Sequence, residues 1–594
     1  MAGPMPSRTE GEAALARGDV TGAAEIFHSL AQENPRDADA RVDLAHALRR
    51  GGHVFEAALH LTEALAFDAG HEVAATRLAA LLSEFTADDP SDFSPEGLTA
   101  ALGHRRIERQ SIVNTAFTYL KLASPLKDAL AMAPDDGARW MLSSKGRPVL
   151  SDRLFLAALS SETCMDLGIA ALLRACRRAL LHQGPSDKTP KKHIVDFTCA
   201  LIRQCALNEY VFSTGEDERR ELDRISVNSV AVLKGSKMAI WSFCLRALYE
   251  PIHAVAGSAA GDADFGAVSP KTVGLLISEH MDGRRREADY AAGIESLDAV
   301  EDDISAKVAA FYEGNPYPRW QSIQFPATDT KQRQLERLAG APNPDFFDHP
   351  FKVLVAGCGT GQHALKCALG YGENARILAF DLSRASLAYA AAMAGEFDIA
   401  NVRYLQMDLL RAEALEETFQ VIESIGVLHH LADPFAGWRA LLTRLAPGGL
   451  MRIGLYSQLA RREITDLRQT INDRGIEDNA DAVRAFRQEL IDAPDGQPGT
   501  SLRTSGDFHS LNNFRDLLFH VNEVPVTLPQ IKDFLGAQNL SFLGFEVPPW
   551  VPHLHGDDMP GDSDATDLDR WWQFEQAHPE IFQGMYVFWC RAVA

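Results

Sequence analysis

The sequence predicts two architectures in one chain: an all-helical N-terminal part that contains repeats, and a C-terminal α/β domain with a doubly wound sheet. Three features point to it. The N-terminal stretch matches itself at a shift of 34 residues, residues 351–371 run strand, glycine turn, helix, and short apolar strand-like runs then alternate with helical spacing. An alternation of that kind places a ligand at the carboxyl ends of the strands.

The length is 594 residues, enough at about 100–200 residues per domain for several hydrophobic cores. With 58 Lys and Arg against 81 Asp and Glu the formal charge is −23. Affinity for nucleic acid comes largely from Lys and Arg neutralising phosphates, so this balance disfavours a nucleic-acid binder. The opening residues MAGPMPSRTEGEAALARGDV hold no apolar core of signal-peptide type, and no apolar run approaches the ~18 residues of a membrane span. The expectation is a cytoplasmic protein with no membrane partner. Eight cysteines without a C-x-x-C pair argue against a disulfide framework, and no metal site is expected.

Residues 1–90 carry the repeats. The 34-residue shift places Gly18 on Gly52, Ala23 on Ala57, Ala24 on Ala58, Phe27 on Leu61 and Asn34 on Asp68. Each unit reads as a helix, a turn at the glycine, and a second helix whose Ala-Ala pair permits close approach. Pro35 ends the second helix of the first unit, because proline disfavours helix in the residue before it. Residues 71–84 add a capping helix. The pattern resembles two tetratricopeptide repeats, which implies a surface for a protein partner or protein substrate; docking on the next domain, or a homo-oligomer interface, is equally open. Residues 91–295 remain helical in spacing, without catalytic motifs. Cys199 and Cys205 fall on apolar faces as structural thiols, and the LNEYVF stretch at 207–212 is open to a cavity-lining or a packing role.

Residues 296–594 hold the chemistry. The strand FKVLVA (351–356) leads into Gly357-Cys358-Gly359-Thr360-Gly361 and a helix, which presents bare backbone N–H groups to an anionic or zwitterionic ligand. Gln362 stands where a dinucleotide fingerprint requires glycine. A second strand ends in Asp381, twenty residues after Gly361 and placed to accept hydrogen bonds from ribose hydroxyls, with Leu382 beside it. A third ends in Gln406-Met407-Asp408-Leu409, suited to an adenine. A fourth runs into Gly426-Val427-Leu428-His429-His430, and a fifth, opened by a Pro-Gly-Gly turn, ends at Tyr456.

In that order the motifs resemble the class I S-adenosylmethionine-dependent methyltransferases. The resemblance implies a seven-stranded Rossmann-like sheet, completed by LSFLGFEV (540–547) and MYVFWCRA (585–592), and S-adenosyl-L-methionine as cofactor. Carried over by position, Gly357, Cys358, Gly359 and Gly361 approach its methionyl part, Asp381 and Leu382 its ribose, and Met407, Asp408 and Leu409 its adenine. One departure stands out: Val355 occupies the position of the family's acidic residue near the cofactor's amino group. The arm at 311–320 (FYEGNPYPRW) is expected either to cover the cofactor through Tyr312, Tyr317 and Arg319, the last pairing the methionyl carboxylate, or to pack its aromatic rings on the domain.

The stretch between the fifth and sixth strands is longer than a helix and two loops require. An insertion at about 460–525 is expected there, with His509, Asn512, Arg515, Asp516, His520 and Glu523 at helical spacing; it caps the site and selects the acceptor, or is a solvated helix face. His430, His429 and Tyr456 are the candidates to orient or deprotonate an acceptor. The acceptor, a protein, a peptide or a small molecule, is open, as is a non-catalytic scaffold role.

Overall fold

The computed structural model describes residues 7–188, 190–257, 263–297, 303–314, 316–325, 331, 335, 345–547, 551, 560 and 565–593. The chain divides into two compact units. One comprises Met1–Asp282 with 321–324 and 509–511; the other comprises Gly283–Trp320, 325–508 and 512–594.

The first unit is helical. It opens with α1 (Arg8–Ala16), α2 (Val20–Glu33), α3 (Ala38–Arg50), α4 (Val54–Phe67) and α5 (Glu72–Glu84). The turn glycines Gly18 and Gly52 sit at φ +83° and +84°, a region that L side chains rarely adopt. Ala23, Phe27, Ala57, Ala58 and Leu61 are buried between the helices, and α2 stops with Asn34 as its C-cap, one residue before Pro35. A sixth helix, α6 (Pro95–Gly103), lies so close to α4 that a Cβ on Gly97 would stand 1.8 Å from the Thr62 carbonyl oxygen. Farther along, the 207–212 stretch is packing: buried Phe212 and Tyr249 flank the Arg177 guanidinium at 5.6 and 4.0 Å. Cys199 and Cys205 are buried thiols whose pKa values desolvation pushes up to about 12.

The second unit is built on eight strands: β1 (Glu295–Ser296), β2 (Phe351–Ala356), β3 (Ala375–Asp381), β4 (Val402–Gln406), β5 (Phe419–Ile425), β6 (Leu445–Leu455), β7 (Leu540–Phe545) and β8 (Tyr586–Ala592). Their order is β1-β4-β3-β2-β5-β6-β8-β7. Strands β1 to β6 pair in parallel, and β8 runs antiparallel between β6 and β7. The seven expected strands are present, and β1 extends the sheet to eight. Two residues are too short to show alternation in the sequence. Central strands such as β2 are apolar on both faces because helices cover both sides, and β2 is buried at five of its six positions.

Helix Gln362–Tyr371 follows the glycine turn, and its N-cap meets helix Arg384–Glu396. The contact requires glycine: Gly361 is the N-cap at φ +83°, and a Cβ there would lie 2.4 Å from the Ala390 Cβ. Gly361→Ala is therefore expected to destabilise the protein by about 1–3 kcal/mol. A second change, Ala390→Gly, should restore part of that loss by removing the overlap while the backbone strain remains. Thermal unfolding of the two variants beside the wild type checks this.

Candidate active site

A cavity of about 320 Å³ opens at the carboxyl ends of β2 to β6. Its floor is the turn after β2, where Gly357 and Gly359 have φ of +70° and +52°. A Cβ on Gly357 would lie 2.4 Å from Val427, and one on Gly359 would meet the Tyr317 carbonyl oxygen at 3.4 Å. Backbone is thus exposed to a ligand at the point where side chains would fill the space.

Asp381 ends β3. One of its oxygens accepts the Gly359 N–H at 2.8 Å and the other the Ser383 N–H at 2.9 Å. Burial raises its pKa and the backbone donors oppose that, so the carboxylate is fixed in place with a second lone pair on each oxygen. Asp408 accepts the Leu410 N–H at 2.9 Å through one oxygen, and buried Met407 and Leu409 flank it in the wall. Cys358 and Leu382 also line the cavity. Gln406 does not: its amide donates to the Leu382 carbonyl at 3.0 Å and accepts from Arg384 at 3.2 Å, tying the ends of β3 and β4 together.

The arm supplies one wall. Tyr312, on helix Asp303–Gly314, and Tyr317-Pro318 beyond it face the cavity. The Trp320 indole N–H donates to the Thr360 carbonyl at 3.1 Å, and the Thr360 hydroxyl donates to the Pro318 carbonyl. Glu313 accepts the Ser383 hydroxyl at 3.0 Å and the Ala385 N–H at 3.1 Å. The arm is fastened to both the glycine turn and the helix after β3. Arg319 is turned elsewhere: its two terminal nitrogens donate to Glu287 at 3.0 Å each and its guanidinium lies over Tyr389, so it does not pair a ligand in this cavity. Gly361 also lies outside the lining, held against Ala390.

Val355 is buried, and its register partner on β5 is Glu423. This carboxylate, wholly buried, receives Arg452 at 2.9 Å, Lys331 at 3.3 Å, His363 Nε2 at 2.9 Å and the Tyr371 hydroxyl at 2.6 Å. Lys331, Arg452 and His363 hold it well below the usual carboxylate range. Arg452 also binds Glu546 through two contacts, so two carboxylates meet two cations. Donor atoms of His363, Cys367 and Glu423 lie within 4.8 Å of one another, a set a divalent cation could use, but Lys331 and Arg452 already supply the positive charge. His363 lines the cavity beside the glycine turn and is kept neutral by burial. With Nε2–H directed at Glu423, its Nδ1 is left as an acceptor.

At the other end stand His430, Tyr456, Asp516 and Met585. His430 Nδ1 lies 3.0 Å from the Asn522 carbonyl, which assigns the proton to Nδ1; burial lowers its pKa to about 4. His429 does not reach the cavity. It is wholly buried and stacks at 3.7 Å on Tyr456, whose ring also carries the Arg461 guanidinium at 3.7 Å. It is a packing residue, and desolvation keeps it neutral.

The insertion folds as helices Arg462–Asp473, Ala480–Asp492 and Leu511–Phe519. Arg515 and Asp516, neighbours on the last, diverge as adjacent helical residues must: Arg515 pairs with Asp478 at 2.5 Å, while Asp516 accepts the Tyr312 hydroxyl at 2.6 Å. His520 and Glu523 follow that helix in irregular chain, where Glu523 binds Arg461 and Arg468 at 2.7 and 3.0 Å. The Asn522 side chain donates to the His430 and Leu431 carbonyls. His363, Thr360 and Ser386 are cavity residues that no sequence pattern marks out.

Residues 353–449, from β2 through the start of β6, match the family described as methyltransferase domain. Over that stretch the sheet is similar to a methyltransferase domain. An uncharacterized protein of Synechococcus is 28% identical over 329 residues, covering 52% of this chain and 75% of that one. Among solved structures, PKMT2 from Rickettsia typhi in complex with AdoHcy aligns at 16% identity and TM-score 0.34, covering 46% of this chain and 54% of that chain. This chain thus spans about half the length of the Rickettsia protein. The [4+2]-cyclase SpnF aligns at 16% identity and TM-score 0.24, covering 54% of this chain and 95% of that one.

The cavity suits S-adenosylmethionine. The glycine floor is space that a Cβ would fill, Asp381 keeps acceptor capacity for a ribose, and Asp408 with Met407 and Leu409 offers a polar and an apolar contact for an adenine. For the methionyl amino group, His363 backed by Glu423 stands in the layer where Val355 provides no carboxylate. His363→Ala is expected to weaken binding of S-adenosylhomocysteine about tenfold, and Val355→Asp in that background to recover part of it; calorimetry reads both. A second expectation concerns stability. Burial, with Glu523 adding to it, raises the Asp516 pKa from its ordinary 3.8 to about 6, against the Tyr312 hydrogen bond and the charges of Arg461 and Arg468. A carboxyl raised on folding costs stability once the pH exceeds its unfolded value. Asp516→Asn should therefore melt higher than the wild type at pH 7, and the advantage should vanish below about pH 4.

Proposed function

We propose that this chain is a methyltransferase that binds S-adenosylmethionine along Gly357–Gly359, Asp381 and Asp408 and transfers its methyl group to an acceptor at the His430, Tyr456 and Asp516 end. The observation behind it is a single cavity that joins the two sets of residues across one edge of the sheet. When bound, the cofactor supplies a methyl group already activated on a sulfonium. What remains for the protein is to align a nucleophile in line with that methyl and to exclude water. Tyr312 and Tyr317 wall the cavity from the arm side, and Asp516 walls it from the insertion.

The reading includes an acceptor that is a protein or peptide brought by the α1–α5 repeats, or a small molecule admitted beneath the insertion. His430 suits an orienting role, as a neutral acceptor through Nε2; with a pKa near 4 it is a poor proton store at pH 7. Titration calorimetry with S-adenosylmethionine tests the reading. The wild type should bind, and Asp381→Ala should lose at least tenfold in affinity, about 1.4 kcal/mol. Absence of binding by the wild type, or equal binding by the variant, would refute it.

A further inference from the structure

We propose that the acceptor is an amine, received as its ammonium form by Asp516 beside the ring of Tyr312. This rests on the methyltransferase reading and adds the substrate class to it.

Three carboxylates stand at this end, Asp507, Asp516 and Glu523, against the guanidiniums of Arg461 and Arg468. Both guanidiniums are bound to Glu523. Asp516 is hydrogen-bonded to the Tyr312 hydroxyl and Asp507 to the Asn513 amide at 3.5 Å; among the described residues no Lys or Arg lies within ion-pair distance of either. Asp516 is 7% exposed, and that exposure opens on the cavity. A buried carboxylate without a cation is unfavourable unless something positive reaches it. Arg461 and Arg468 act on Asp516 only at longer range while bound to Glu523, so a direct cationic partner has its route through the cavity.

The surroundings select among acceptors. A carboxylate acceptor would bring a like charge to Asp516, with Asp507 nearby adding to the repulsion. A neutral hydroxyl or thiol would leave the excess negative charge in place. An ammonium group neutralises it and can also lie against aromatic faces. Tyr312 and Tyr317 stack at 6.4 Å and, with Tyr456, line this stretch of wall, while Ile425 and Met585 supply apolar surface for the carbon chain that carries the nitrogen.

The proton balance follows. The ammonium gives one proton to Asp516, and from there to water, which leaves a nitrogen lone pair. That pair forms the new N–C bond as the carbon–sulfur bond breaks, and the sulfur keeps the bonding electrons as a neutral thioether. The products are an N-methylammonium and S-adenosylhomocysteine, with one proton released overall.

The test uses the full chain, methyl-labelled S-adenosylmethionine and four probes: butylamine and N-acetyl-lysine amide as amines, N-acetyl-glutamate amide as a carboxylate, and N-acetyl-tyrosine amide as a hydroxyl. Binding of S-adenosylhomocysteine is measured in parallel. The expected result is alkali-stable label in the amines alone. Asp516→Asn should lower kcat/KM for the amines more than tenfold while S-adenosylhomocysteine affinity stays within twofold. Tyr312→Phe, which keeps the ring but removes the donor to Asp516, should lower it less. Preferred labelling of the carboxylate or hydroxyl probe, no labelling of an amine by a protein that binds S-adenosylhomocysteine, or amine turnover within twofold in both variants would overturn the amine assignment alone. Failure of the wild type to bind S-adenosylhomocysteine would instead overturn the methyltransferase reading on which it rests.

Discussion

The site depends on a close approach of glycine backbone to the side chains of Val427 and Ala390 at the end of β2. Between Ala356 and Gln362 the chain reverses through three glycines with positive φ, and two of them have no room for a Cβ: Gly357 against Val427 and Gly361 against Ala390. The first contact sets the turn onto the end of β5, and the second sets the following helix onto the helix after β3. Together they hold open a floor of bare peptide groups. Asp381 is aligned by the same turn, since its carboxylate accepts the Gly359 N–H. The arm is aligned by it as well, through Trp320 and Thr360.

Beneath this floor the sheet carries an ionic layer. Glu423 and Glu546 share Arg452, and Lys331 completes the balance. Such a network is unstable in parts and stable as a whole, because removing one partner strands a buried charge. His363 connects it to the cavity. The apolar Val355 is thus coupled to a carboxylate one strand away, and the two positions are best understood as a pair in register.

Much of this was legible in the sequence, for physical reasons specific to each element. The glycine turn, Asp381 and the Met407-Asp408 pair could be placed because a parallel strand that is buried on both faces reads as an apolar run, and its last residue marks the site edge. Cys358, Leu382 and Leu409 came with their motifs. Gly361 and Arg319 were misplaced for a common reason: proximity in sequence to a ligand-binding turn does not fix direction, and one packs on Ala390 while the other is claimed by Glu287. His429 was misplaced because two adjacent histidines point to different sides, and only His430 faces the cavity. His363 and Glu423 carried no motif, since their meaning lies in strand register. Strand β1 was too short to leave a periodic trace.

The insertion supplies Asp516 to the cavity wall, while the ends of the sheet strands supply Asp381, Asp408, His430 and Tyr456. Central to the whole account is that one ligand spans the glycine floor, Asp381 and the Met407–Leu409 turn. Amide hydrogen exchange with and without S-adenosylhomocysteine tests this most directly. Slowed exchange at residues 357–363, 381–386 and 407–410, with the α1–α5 repeats unchanged, is the predicted result. Unchanged exchange in all three stretches at saturating ligand would contradict it.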